Sequence, residues 1–449
     1  MRLWEKKGQE IDKTIEDFVV SDDYLLDQRL VKWDCLGSIG HIKSLQKIGI
    51  LKKDEEEKIK KCTLEIIELD NCGKFIIERP DEDVHTKIEN FLTEKLGDLG
   101  KKIHTGRSRN EQVILAIRLY SKDFLLLQKK KHIELALSFL NLAKENEFIP
   151  MPGRTHLQKA MPSSVSLWLG SFLESILDGI SIISSSYKMN DQSVLGAGSS
   201  YGTSLPIDRE FIREILGFER LQKNALYVNN SRGKIESYIL FSFLWTILDL
   251  SKFSTDLMLF LLPEFGYFSL EDKFLFGSSL MPQKKNPSVL EMIRARSNTF
   301  ISYLFQILSI INSLPSGYNQ DFQETKGPFF KACDLASSII DAGISIIKNL
   351  KVNKAALLKG FSPEIFATDY VIKMVQEENI PFRDAYRKIG ENIGNLPPLD
   401  PYSLIKERKS IGGCGNLCLD EAREVIKGAK KEVENEENVF KERISSLIS

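Results

Sequence analysis

No excess charge marks this chain. Its 61 Lys and Arg face 62 Asp and Glu, for a formal net charge of −1, so no global field draws it to nucleic acid and any anion site must be local. Cysteine is sparse, with six scattered at 35, 62, 72, 333, 414 and 418. Cys414 and Cys418 have no histidine or further cysteine pair close in sequence, which argues against zinc. The scatter fits a reduced protein without disulfides. The N-terminal MRLWEKKGQEIDKTIED lacks the apolar run of a signal peptide, so a cytoplasmic location is expected. The very apolar stretch 238–262 is interrupted by Asp249, Lys252 and Asp256. It reads as a core helix of a bundle and not as a membrane span. Strand signals are rare, and there is no internal repeat or low-complexity tract. The turn Leu195-Gly196-Ala197-Gly198-Ser199-Ser200-Tyr201-Gly202 has neither GxGxxG spacing, nor a strand before it, nor a Walker lysine after it, so a dinucleotide is not expected.

What the chain does have is helical spacing. At 449 residues it can bury a large core in two or three domains. Residues 1–105 read as a domain of short helices, including 27–49 and 52–70. An acidic helix start follows Glu78-Arg79-Pro80, where Asp81, Glu82 and Asp83 complement the helix dipole; His85 reads equally as a buried structural histidine. Residues 106–353 read as a central bundle of five helices of roughly 20 residues or more. Residues 354–449 form a smaller, more charged helical domain. Its last helix, 419–447, is dense in Glu and Lys and is expected on the surface. The fold class is all-α.

Polar loops punctuate the bundle. Gly277-Ser278-Ser279-Leu280-Met281-Pro282-Gln283-Lys284-Lys285-Asn286-Pro287 cannot be a helix interior. Serines beside two ammonium groups suit carboxylate binding and proton transfer, although a solvated connector would look the same. Ser288-Val289-Leu290-Glu291 has the form of a capping box. His104-Thr105-Gly106-Arg107-Ser108-Arg109-Asn110-Glu111-Gln112 opens a long helix, and its guanidinium groups and helix start suit a carboxylate. Prolines bracket Met151-Pro152-Gly153-Arg154-Thr155-His156-Leu157-Gln158 and place His156, a residue suited to proton transfer, on a constrained loop. Tyr318-Asn319-Gln320-Asp321-Phe322-Gln323-Glu324-Thr325-Lys326 precedes another helix.

HTGRSRNEQ, PGRTHLQKAMP, LGAGSSYGT, GSSLMPQKKNP and YNQDFQETK together resemble the fumarase/aspartase superfamily, and the LMPQKKNP wording resembles its argininosuccinate lyases most. The likeness runs from about residue 18 to about 390. It implies a homotetrameric helical bundle with each active site drawn from three subunits. The implied activity is carbon–nitrogen lysis of argininosuccinate to arginine and fumarate, in arginine biosynthesis or a urea cycle, with no metal or organic cofactor, nucleic acid or membrane. By motif matching, Ser278 and His156 are the proton-transfer pair, with Ser278 preferred as base; the sequence does not fix the direction. Lys284 supports the serine and Glu291 orients the histidine. Ser21, Arg109, Asn110, Thr155, Lys284, Asn286, Tyr318, Gln323 and Lys326 match substrate contacts.

Several positions depart from the pattern. The WGGRF-like start is reduced to Leu3-Trp4-Glu5, PGYTH reads PGRTH with Arg154, and a family cation is Gln320. A family acid is Gly233, and a family histidine is Tyr386. Two alternatives therefore stay open: a paralogous lyase acting on another N-substituted aspartate, or a catalytically silent relative, against which the retained Ser278, His156, Lys284 and Asn286 argue. If argininosuccinate is the substrate, Arg154 is the candidate cation to compensate for Gln320.

Overall fold

The computed structural model describes residues 12–449; Leu3-Trp4-Glu5 lie outside the described residues. Short helices come first: α1 (Lys13–Val20), α2 (Asp23–Asp27), α3 (Val31–Lys47), α4 (Lys53–Asn71), α5 (Val84–Leu96) and α6 (Asp98–Lys101). Ile42, Leu45, Ile59, Ile66, Ile88 and Leu92 form a core between α3, α4 and α5. The acidic start before α5 is a true cap, since the Asp83 side chain accepts from Thr86 N.

The central elements follow in order: α7 (Arg109–Glu145), the strands β1 (Pro150–Thr155) and β2 (Gln158–Ser164), and α8 (Val165–Asn190). Then come β3 (Gln192–Ser193), α9 (Arg209–Ile215), β4 (Arg220–Leu221), α10 (Ala225–Asn230) and α11 (Lys234–Phe260). β5 (Phe268–Ser269), α12 (Ser288–Ile311), α13 (Lys326–Asn349) and β6 (Lys351–Val352) complete the centre. The five expected long helices are α7, α8, α11, α12 and α13. The axis is α7, 37 residues without Pro or Gly and buried around most of its circumference, as a helix at the centre of a bundle must be. At 1.5 Å per residue it runs roughly 55 Å. It starts in a capping box, with Ser108 Oγ accepting from Asn110 N and Ser108 N donating to Glu111 Oε1 at 3.1 Å. Among the described residues α8 alone is apolar and long enough to cross a membrane; it packs along α7 and α11 instead.

The sequence suggested a proline-bracketed loop at His156, and the structure corrects this to a hairpin. β1 and β2 pair antiparallel, with Pro150 opposite Ser164 and Pro152 opposite Pro162. A two-stranded ribbon has an open edge on every strand, where a missing N–H costs no ladder bond. The expected capping box at Ser288 is also corrected. Pro287 is the N-cap and no side chain caps the helix, so Ser288 is already helical and Glu291 lies one position too far along to reach back.

The C-terminal helices are α14 (Lys354–Lys359), α15 (Ala367–Glu378), α16 (Phe382–Glu391), α17 (Pro401–Glu407) and α18 (Leu419–Ile448). Expected on the surface, α18 is anchored more firmly than that. Leu419, Ile426, Val433, Phe440 and Leu447 are buried at intervals of seven, the spacing of a packed helical seam. Phe440 stacks on Trp33 with ring centroids 6.5 Å apart. Charge is built into the middle of the seam, because Lys129 of α7 has no solvent exposure and its Nζ donates to Glu436 at 2.6 Å. Glu432 is a second partner at 3.5 Å. Removing the partner of a buried charge costs about 3–5 kcal/mol. Glu436→Ala should therefore destabilise the protein by about 3 kcal/mol, near the lower limit because Glu432 remains. Lys129→Met should cost less, since Glu436 keeps some access to water. Urea titrations of both variants check this order.

One face of the bundle is left apolar. Tyr238, Phe241, Trp245 and Leu248 follow helical spacing along α11, where Phe241 and Trp245 are 39% and 48% exposed. Phe305 (62%) and Leu308 (42%) continue this pattern on α12.

Candidate active site

Charged groups from five separate segments meet at the N-terminus of α7. Asp23 and Asp27 stand one turn apart on α2. Lys326, at the first position of α13, reaches them with Nζ 2.7 Å from Asp23 Oδ1 and 2.5 Å from Asp27 Oδ1. Gln323 Nε2 donates to Asp23 Oδ2 at 3.2 Å, and Asp27 Oδ2 accepts from Val84 N at 3.1 Å. Burial pushes the Asp23 carboxyl up to about 6, against the lowering pull of Lys326, and the charge of Asp27 adds to the rise. Burial works against the Lys326 ammonium too, but Asp27 and Asp23 outweigh it and hold its pKa above the usual lysine value.

Arg109, at the first position of α7, is drawn to the other acidic pair. Its Nη1 lies 3.1 Å from Asp83 Oδ2 and 3.6 Å from Glu82 Oε2, while its Nη2 is buried without a partner. Behind them His85 Nδ1 bonds Asp34 Oδ2 at 2.7 Å. Burial alone would lower the His85 pKa, but Asp34, with the charges of Asp83 and Asp27, reverses this and holds it above the ordinary histidine value. A raised folded-state pKa gives stability that is complete below the unfolded value of about 6.5 and lost as pH rises through the folded value. Urea midpoints of the wild type should thus fall at alkaline pH by more than those of His85→Gln. Parallel curves would remove His85 as the cause.

Asp23, Asp27, Glu82, Asp83, His85, Arg109, Gln323 and Lys326 line a cavity of about 330 Å³ together with Val19, Val20, Asn110, Tyr318, Gln320 and Arg232. Asn110 Nδ2 donates to Ser199 Oγ at 3.3 Å, and Gln320 donates to Gln323. Arg232 is 2% exposed, and its Nε and Nη2 have no hydrogen-bond partner. Asp23, Asp27 and Arg232 were all missed as site residues; the one available signal was four acids opposite three cations, which becomes visible only once the fold joins them.

Of the expected site residues, Arg109, Asn110, Tyr318, Gln323 and Lys326 thus meet in one cavity. Ser21 ends α1 beside it, exposed and with φ 44°. The others lie elsewhere. Thr155 and His156 sit exposed at the tip of the β1–β2 hairpin, which begins five residues beyond the far end of α7. Ser278, Lys284 and Asn286 belong to a loop whose ends are pinned by Phe276 N to Asn286 O at 2.9 Å and Asn286 N to Phe276 O at 2.8 Å. Within it Ser278 Oγ accepts from Leu280 N at 3.3 Å and Met281 N at 3.1 Å. Leu280 is 84% exposed. Glu291 is exposed on the first turn of α12, and among the described residues no bond joins it to His156. Within its own chain Arg154 does not line the cavity that holds Gln320, and its Nη1 donates inside the hairpin to Leu157 O. The cations that line the cavity with Gln320 are Arg109, Arg232 and Lys326.

The family described as Lyase matches residues 6–300. The argininosuccinate lyase of Thermotoga neapolitana is 40% identical over 393 residues, covering 88% of this chain and 98% of that protein. The argininosuccinate lyase of Sorangium cellulosum is 38% identical over 423 residues, covering 94% of this chain and 97% of that protein. Among solved structures, EDDS lyase in complex with formate superposes with a TM-score of 0.84 at 19% identity, covering 98% of this chain and 95% of that one. The class II fumarase of Schistosoma mansoni superposes with a TM-score of 0.67 at 15% identity, covering 84% and 90%. With two-thirds of its length inside the matched family and near-complete relatives at this identity, the chain belongs to the argininosuccinate lyase family of the fumarase/aspartase superfamily.

Proposed function

We propose that the protein cleaves L-argininosuccinate to L-arginine and fumarate, in arginine biosynthesis in the cytoplasm, as a homotetramer. The observation that carries this reading is the division of the motif residues among three places on one chain. The cavity lies at one end of α7 and the His156 hairpin starts beyond the other, roughly 55 Å away. A strand of six residues spans only about 20 Å, so His156 cannot fold back to its own cavity. The exposed apolar faces of α11 and α12, and exposed Leu280, give the partner chains something to cover. In the assembled site one chain supplies the cavity, a second the hairpin and a third the Ser278 loop.

The chemistry then follows from the side chains. A base takes the proton from the carbon beside one succinate carboxylate. The resulting carbanion, delocalised onto that carboxylate, expels the guanidino nitrogen from the neighbouring carbon, leaving fumarate. An acid protonates the departing nitrogen, giving arginine. Ser278 is the base, although a serine hydroxyl is a poor one unless its alkoxide is stabilised. The two backbone N–H groups on Ser278 Oγ support the anion as an oxyanion hole does, and Lys284 adds a cation. His156 is the acid or its relay, oriented by Glu291 of another chain.

A cavity with cations and acids side by side suits a ligand that carries both carboxylates and a guanidinium group. Arg232 brings two unpartnered N–H groups to it. A charge-assisted bond contributes about 1.5–3 kcal/mol, so Arg232→Leu should raise KM by roughly one to two decades with a smaller change in kcat. Steady-state kinetics check the split. The activity itself is tested by offering argininosuccinate, adenylosuccinate and aspartate in turn while following fumarate by ultraviolet absorbance. Release from argininosuccinate alone is expected; release from another N-substituted aspartate alone overturns the substrate.

A further inference from the structure

The turn that carries His156 is strained, and one side chain ties it down. Thr155 pairs with Gln158, leaving His156 and Leu157 as a two-residue turn. Both have left-handed backbone, with φ 52° and 62°. Such turns favour Asn-Gly, and a leucine in the second place is unfavourable. Thr155, His156, Leu157 and Gln158 are all exposed on their own chain, so packing within the chain does not hold the tip. Arg154 Nη1 donates to Leu157 O at 2.9 Å, closing the turn from the strand before it. The same guanidinium lies over the Phe265 ring at 4.7 Å. Phe265 packs on Tyr267 with centroids 5.4 Å apart, and Tyr267, buried, packs on Phe260 at the end of α11 at 5.8 Å. A continuous line of contacts thus runs from the bundle core to the carbonyl next to the histidine.

We propose that Arg154 is a positioning residue. It holds the left-handed His156-Leu157 turn, and so the imidazole, in the orientation that proton transfer needs, and it is not the substrate-binding cation that would make up for Gln320. This rests on the reading of His156 as a proton-transfer group. A small misplacement of a reacting group costs up to about 10²-fold in rate. In the full-length assembled enzyme, Arg154→Ala should lower kcat by roughly 10- to 100-fold while KM changes little. Leu157→Gly in that background should recover much of the loss, because glycine takes the left-handed conformation without the tie. In a His156→Asn background Arg154→Ala should lower the residual rate no further. An unchanged kcat in Arg154→Ala, or a large rise in KM at constant kcat, overturns the proposal, as does a full additional loss in the His156→Asn background. If Arg154→Ala fails to assemble, the same comparisons are made with Arg154→Lys, which keeps the charge but not the fork. If His156→Asn itself turns over normally, the reading of the histidine falls. If it is inactive while Arg154→Ala is normal, only the positioning role falls.

Discussion

Ser278→Ala and His156→Asn should each lower kcat by about 10²–10⁴-fold, the usual cost of losing one proton-transfer group, with melting temperature and assembly unchanged. The unchanged stability follows from placement. His156 is exposed at a hairpin tip, and Ser278 lies in a loop whose ends are fixed by main-chain bonds between Phe276 and Asn286. Neither side chain packs in a core, so neither substitution opens a cavity. The two should differ in one respect. Ser278→Ala removes the acceptor of the Leu280 and Met281 N–H groups, whereas His156→Asn keeps a residue type at ease in left-handed backbone. Normal turnover by either variant, with normal melting, would refute the assignment of that residue.

Mixing the two inactive variants should restore activity. If His156 and Ser278 of one site come from different chains, a hybrid assembly contains sites with Ser278 from a His156→Asn chain and His156 from a Ser278→Ala chain, and such sites are whole. The variants are mixed, dissociated, reassembled and assayed for fumarate against unmixed controls treated alike. Recovery from almost nothing to a sizeable fraction of wild-type rate is expected, and light scattering should give the mass of four chains. If both residues served a site in their own chain, no hybrid could contain an intact pair and recovery would be nil. A monomer that retained activity would overturn the shared site.

The long helices were legible because nothing contradicts them locally. α7 has no Pro or Gly, and α8, α11, α12 and α13 carry apolar residues at helical spacing. The hairpin at Pro150–Ser164 was not legible, because its prolines argue against strands in general and are tolerated only where no neighbouring strand needs the N–H. The cap at Ser288 was misread by one position, since S-x-x-E describes both a capping box and the N1–N4 stretch that follows a capping proline. At the site, the motif residues could be read but their partners could not. Lys326 and Asp27 are 299 residues apart in sequence, and no local pattern links them. The sequence offers Arg154 as a candidate cation to compensate for Gln320, and gives no sign of its partners, Phe265 and the carbonyl of Leu157, which are set by tertiary packing and a turn type.

The length of α7 has a consequence for what this chain can tolerate in evolution. Surface loops absorb insertions and deletions easily, since lengthening a loop costs little. An α-helix does not, because each added residue advances everything beyond it by 1.5 Å and turns it by about 100°. A single-residue change within Arg109–Glu145 would rotate the hairpin away from the site it serves and turn polar residues onto buried faces. Only steps near 7, 11 or 18 residues restore the phase, and these displace the hairpin by roughly 10 to 27 Å. Divergence of substrate preference can therefore proceed through substitutions such as Gln320 and Gly233, while the residue count of α7 stays fixed.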